Sequence, residues 1–108
     1  MIKMKIESMD QFKELMEKEN RFFFMKHSLT CPISGNAFQE FNSFLQDSDA
    51  KGYYLAVQEA RELSSQLADE FQIKHESPQV FLIENGKPVW HASHWNITKK
   101  ELDKHLFK

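Results

Sequence analysis

The run RFFFMKH at positions 21–27 constrains the fold more than any other stretch, because it is apolar and aromatic without the polar alternation of a half-exposed strand. Such a run suits a strand covered on both faces, and the segments around it must then supply helices to cover it. They do. After a short strand-like opening, MIKMKI, Ser8 stands three residues before Gln11 as a capping box, and Met9, Phe12, Leu15 and Met16 follow at helical spacing. From Pro32 onward Ile33, Ala37, Phe38, Phe41, Phe44 and Leu45 form one helical stripe, with Asn36, Gln39, Glu40 and Gln46 on the other face. GYYLAV reads as a second buried strand, and Ala60, Leu63, Leu67 and Phe71 mark a third helix. SPQVFLI is a strand opened by a proline, and the Asn-Gly of ENGK predicts a tight hairpin to PVWHAS. Thr98 and Glu101 then predict a capped final helix carrying Leu102 and Leu106. The expected order is β-α-β-α-β-α-β-β-α, a parallel portion covered by helices with an antiparallel hairpin at its edge.

A chain of 108 residues suits one domain, taken here as 1–108. Hydrophobic residues make up 41% and charged residues 28%, with a formal net charge of -2, which suits a soluble globular domain. That balance offers no basic footprint for nucleic acid. The longest apolar runs, FFFM and VFLI, fall far short of the roughly 20 residues that span a bilayer, and the start turns acidic before a signal core forms. The expected location is the cytoplasm, where a lone thiol persists as a thiol, and the expected partner is a small molecule or another protein.

That lone thiol, Cys31, falls between the central strand and the helix opened by Pro32. The unpaired N–H groups and positive dipole end of a helix N-terminus favour a thiolate over a thiol, which raises the nucleophilic fraction. Pro32 suits the first helical turn, where a missing N–H costs nothing. Ser34 lies one turn on, able either to donate to the thiolate or to face water, and it cannot resolve a disulfide. An enzyme with one thiol must pass its mixed disulfide to an outside thiol. His27, four residues before Cys31, could support the thiolate as an imidazolium or face solvent. His27, His75, His91, His94 and His105 show no paired-ligand spacing, and the cysteine clusters of zinc sites are absent, so no metal is expected.

This element order, with a thiol between the second strand and its helix, resembles the thioredoxin fold. FLIENGK is similar to its hairpin, ELSSQLADEFQI to the helix before it, and Pro78 falls where that fold carries a cis-proline. TCPIS, HESPQVFLI and HASHWNIT together resemble the YtxJ family, monothiol bacilliredoxin-like proteins of bacteria that use bacillithiol in place of glutathione. The resemblance implies a monothiol oxidoreductase that uses Cys31 to reduce mixed disulfides between client proteins and the small thiol. Pro32 and Ser34 would assist it, and Thr30, Ser77, Pro78, His94 and Trp95 would meet the substrate. The small thiol is a co-substrate, with no resident cofactor. Ser34 stands where thioredoxin has a resolving cysteine, and SHWN replaces the Gly-Gly-x-Asp pattern of glutaredoxins, which disfavours glutathione. For the carboxylates of bacillithiol's malate, His94, Lys26 and the amides beside Cys31 are candidate donors, with Trp95 as a wall for the sugar. The alternatives are a redox-responsive binding module without turnover and an iron–sulfur carrier of the monothiol glutaredoxin type. A peroxidase fits less well, because in peroxiredoxins the threonine and proline precede the cysteine.

Overall fold

The computed structural model describes residues 4–106. The first three residues of the predicted opening strand and the last two of the chain lie outside the described residues. The elements run β1 (Met4–Lys5), α1 (Met9–Lys18), β2 (Arg21–His27), α2 (Pro32–Gln46), β3 (Gly52–Ala56), α3 (Arg61–Phe71), β4 (Gln79–Glu84), β5 (Lys87–Ser93) and α4 (Lys99–Leu106), with one 3-10 turn at His94–Asn96 before α4. This is the predicted order.

The strands form one sheet in the order β1-β3-β2-β4-β5, with β1, β3 and β2 parallel and β4 and β5 antiparallel. β2 is central because its side chains are apolar on both faces. Phe22 and Phe24 point into a core with Phe12 and Leu15 of α1 and Leu63 and Leu67 of α3, while Phe23 and Met25 point into a second core with Ala37, Phe41 and Phe44 of α2 and Leu102 of α4. The continuous run therefore serves two cores through the two-residue period of a strand. α2 lies so close to the sheet that a Cβ on Gly52, at the start of β3, would collide with the side chain of Leu45.

The termini of the elements follow local chemistry, with one variation. Ser8 Oγ accepts the Gln11 N–H at 3.2 Å, but the Gln11 side chain reaches past Ser8 to accept the Glu7 N–H at 2.7 Å. Thr98 Oγ1 accepts the Glu101 N–H at 3.1 Å, while the Glu101 carboxylate turns toward Lys104 instead of closing the capping box. The β4–β5 hairpin turns at Asn85 and Gly86 with φ of 52° and 80°, the left-handed pair that a two-residue turn demands.

Candidate functional site

Cys31 is the N-cap of α2, with an extended backbone at φ -99° and ψ 121°. Its carbonyl accepts the Gly35 N–H at 3.0 Å, so the helix begins at Pro32 and the sulfur sits at its mouth, partly exposed and without a capping bond.

The side chain one turn further, Ser34, takes neither of the orientations its spacing suggests. It is fully buried, and its Oγ accepts the Ser28 N–H at 2.8 Å and lies 2.8 Å from His27 Nδ1. The reason is the way the chain leaves β2: the loop 28–30 folds back over the first turn of α2 and needs an acceptor for its own amide. The surroundings of His27 correspondingly disfavour an imidazolium. Burial lowers its pKa, and its ring stacks on Phe38 of α2 at 4.1 Å between centroids.

The loop is held from its other side by Gln58, a residue that no sequence pattern singles out. Gln58 Oε1 accepts the Leu29 N–H at 3.0 Å, and its Nε2 donates to Ser28 Oγ at 2.9 Å and to Thr30 Oγ1 at 3.3 Å. The segment before Cys31 is thus tied to both α2 and the end of β3. Leu29, 52% exposed, projects from it.

Two further segments reach the same end of the sheet. Lys26 pairs with Gln79, and Gln79 with Ser93, across β2, β4 and β5. One residue beyond that row lie His27, Pro78 and His94, and the His94 N–H donates to the Pro78 carbonyl at 3.0 Å. The Ser77–Pro78 bond is cis, as the thioredoxin resemblance implies. Ser77 Oγ is the one buried side-chain polar atom among the described residues that lacks a hydrogen-bond partner. His94 and Trp95 are exposed, Trp95 at 66%, in the 3-10 turn that follows β5.

Lys26 differs from expectation. It continues the row of Phe22 and Phe24 on the α1/α3 face and is fully buried, so it cannot touch a ligand directly. Its Nζ donates to the Ser64 carbonyl at 2.9 Å, lies 3.2 Å from His75 Nδ1, and sits 5.8 Å from the centroid of Phe81. Desolvation pushes its pKa down to about 8, so the ammonium still predominates at neutral pH. His91 is exposed and His105 stacks on Trp90 at 4.1 Å, both away from the Cys31 loop. Among the described residues no group of three or more His, Cys, Asp or Glu side chains is placed to hold a metal ion. None of the described helices is long and apolar enough to cross a membrane.

A five-stranded sheet with this mixed order, four helices in two layers, a cis-proline opening β4 and a cysteine at the mouth of α2 define a thioredoxin-fold protein with a single thiol. The model of the monothiol bacilliredoxin family BrxC matches residues 4–102, and the chain belongs to that family. A solved structure described as a candidate oxidoreductase with a thioredoxin fold is 46% identical over 94% of this chain and 90% of its own, with a TM-score of 0.90. Thioredoxins of Fasciola hepatica (12% identity, TM-score 0.78, covering 97% of each chain) and Schistosoma mansoni (14% identity, TM-score 0.76, covering 96% of this chain and 94% of that one) share the fold. Family and fold together support a thiol–disulfide oxidoreductase-like role.

Proposed function

We propose that the protein reduces mixed disulfides between client-protein cysteines and bacillithiol, with Cys31 as its nucleophile, in the cytoplasm. The observation that carries this reading is the pairing of a partly exposed Cys31 at a helix mouth with a Ser34 hydroxyl committed inward at the position where a second thiol would stand. In the first step the Cys31 thiolate attacks the bacillithiol sulfur of the mixed disulfide. A new S–S bond forms to Cys31, the old one breaks, and the client leaves as a thiolate that takes a proton from water. In the second step the thiolate of another bacillithiol attacks the same sulfur, releasing oxidised bacillithiol and the Cys31 thiolate, so each step exchanges one S–S bond for another.

Chain geometry supports roles for the neighbours. Pro32 starts α2 without consuming an amide at the sulfur. Ser34, through Ser28, and Thr30, through Gln58, fix the approach to Cys31. Ser77 and cis-Pro78 offer backbone groups to the incoming thiol, and His94 and Trp95 offer an exposed donor and an aromatic wall. Bacillithiol acts as co-substrate, with no resident cofactor. The test is intact-mass analysis after incubation with oxidised bacillithiol and, separately, oxidised glutathione. A single adduct on the wild type, faster with bacillithiol and absent in Cys31→Ser, supports the reading. Equal rates with the two disulfides refute the choice of thiol.

A further inference from the structure

Among the described residues, Lys26 is a buried cation without a counter-anion. Its donors go to a carbonyl, an imidazole nitrogen and the face of Phe81, and none of the ion pairs among the described residues includes it. Glu76, the nearest carboxylate in sequence to His75, accepts from Ser93 Oγ at 2.7 Å, and its charge bears on the His75 ring. Buried charges are ordinarily paired, because removing an ion from water costs far more than neutral hydrogen bonds return. The arrangement becomes intelligible if the missing anion arrives with a ligand.

His75 is the route by which that charge reaches the surface. Both the Lys26 ammonium at 3.2 Å and the Ser64 hydroxyl at 3.1 Å converge on Nδ1. An ammonium can only donate, so Nδ1 is the acceptor and the ring proton sits on Nε2. The residue is exposed, and among the described residues no hydrogen bond uses that Nε2–H. His75 also lies two residues before Ser77, whose hydroxyl has no partner, on the segment that enters cis-Pro78. The position of this segment is fixed by Gln79, whose Oε1 accepts the Glu76 N–H at 3.4 Å and whose Nε2 donates to the Lys74 carbonyl at 3.1 Å.

We propose that His75 is an anion-recognition residue of the thiol site, whose Nε2–H, polarised by the buried Lys26 ammonium behind the ring, receives a carboxylate of the incoming small thiol. The inference rests on the small-thiol reading given above and assigns its carboxylate a receptor. It gives the chain a positively polarised donor at the surface without a hydrated lysine, so the donor stays aimed by the two partly buried hydrogen bonds at Nδ1. Lys26 acts through His75 and is a positioning residue.

The experiment compares Cys31 thiolation by oxidised bacillithiol with thiolation by hydroxyethyl disulfide, which carries no charge, in the wild type, His75→Ala and Lys26→Met. The quantity read is the ratio of the two rate constants. A wild-type ratio well above one, falling about tenfold in both variants, is the expected result. His75 is exposed, so its truncation tests the claim even if Lys26→Met fails to fold. A high wild-type ratio that neither variant lowers overturns the role of His75 and leaves the proposed function standing. A wild-type ratio near one overturns the choice of a carboxylate-bearing thiol, and the inference with it. A 15N spectrum of wild-type His75 showing the ring proton on Nδ1 would also overturn it.

Discussion

Ser34 acts on the site through the backbone. Its hydroxyl is the acceptor for the Ser28 amide and the partner of His27 Nδ1, and the oxygen that makes both bonds belongs to a fully buried side chain. Ser34→Ala leaves the partly buried Ser28 amide without its acceptor, a cost of about 1 kcal/mol that urea denaturation would register. The same change frees the loop 28–30, so faster hydrogen exchange at Ser28 is expected, and unchanged exchange would contradict the assignment. Residue-level chemistry was legible in the sequence where it depends on neighbours along the chain: Cys31 before Pro32 marks a helix mouth whatever lies across the sheet. It was not legible where it depends on depth. Nothing local separates a lysine that ends in water from Lys26, which ends against Ser64 of α3 and His75 in the segment after it.

At the scale of elements, the double-sided burial of β2 organises the rest. RFFFMKH announces this because a strand with one wet face would alternate, and each helix announces the face it covers by its stripe. Strand order is less accessible, since the placement of β1 beside β3 follows from pairing partners that no period encodes. Packing between α2 and β3 is tight enough to test. Gly52→Ala drives a methyl against Leu45, and overpacking of this kind costs roughly 1–3 kcal/mol, with Leu45→Ala in the same chain expected to recover part of it. Thermal unfolding of the two variants would decide this, and a Gly52→Ala protein as stable as wild type would show that α2 can shift away. The hairpin carries an independent expectation. Gly86 holds φ 80°, so Gly86→Ala is destabilising by about 1 kcal/mol although its Cβ would meet open space.

Across the whole molecule, desolvated titratable groups tie stability to pH in two windows. Burial lowers the pKa values of His27 and His75, so the unfolded chain binds protons more readily than the folded one; the stability they contribute is present above about pH 6.5 and is lost as pH falls below it. Lys26 has the same sign of shift at higher pH. Its pKa falls from 10.5 to about 8, so stability rises between those values as the folded protein sheds a proton that the unfolded chain keeps. Lys26→Met removes this dependence and gains on the order of 3 kcal/mol at pH 7 by the linkage between pKa and free energy, less what its lost hydrogen bonds supplied. Denaturant midpoints from pH 5 to 10 would show both slopes, and a flat profile above pH 8 would contradict the burial of the charge. The fold thus spends stability on a cation beside the cis-proline loop, at the end of the sheet where the His94 N–H meets the Pro78 carbonyl and β2 leads into the Cys31 loop. Whether that end carries thiol transfer is tested most directly by mixing the reduced protein with a peptide bearing bacillithiol on its one cysteine and following both by intact mass. Bacillithiol is expected to move to the protein as a single adduct on Cys31, with the peptide released as a free thiol and the protein regenerated by added bacillithiol. A peptide that keeps its bacillithiol, or an adduct that still forms in Cys31→Ser, would contradict thiol transfer by Cys31.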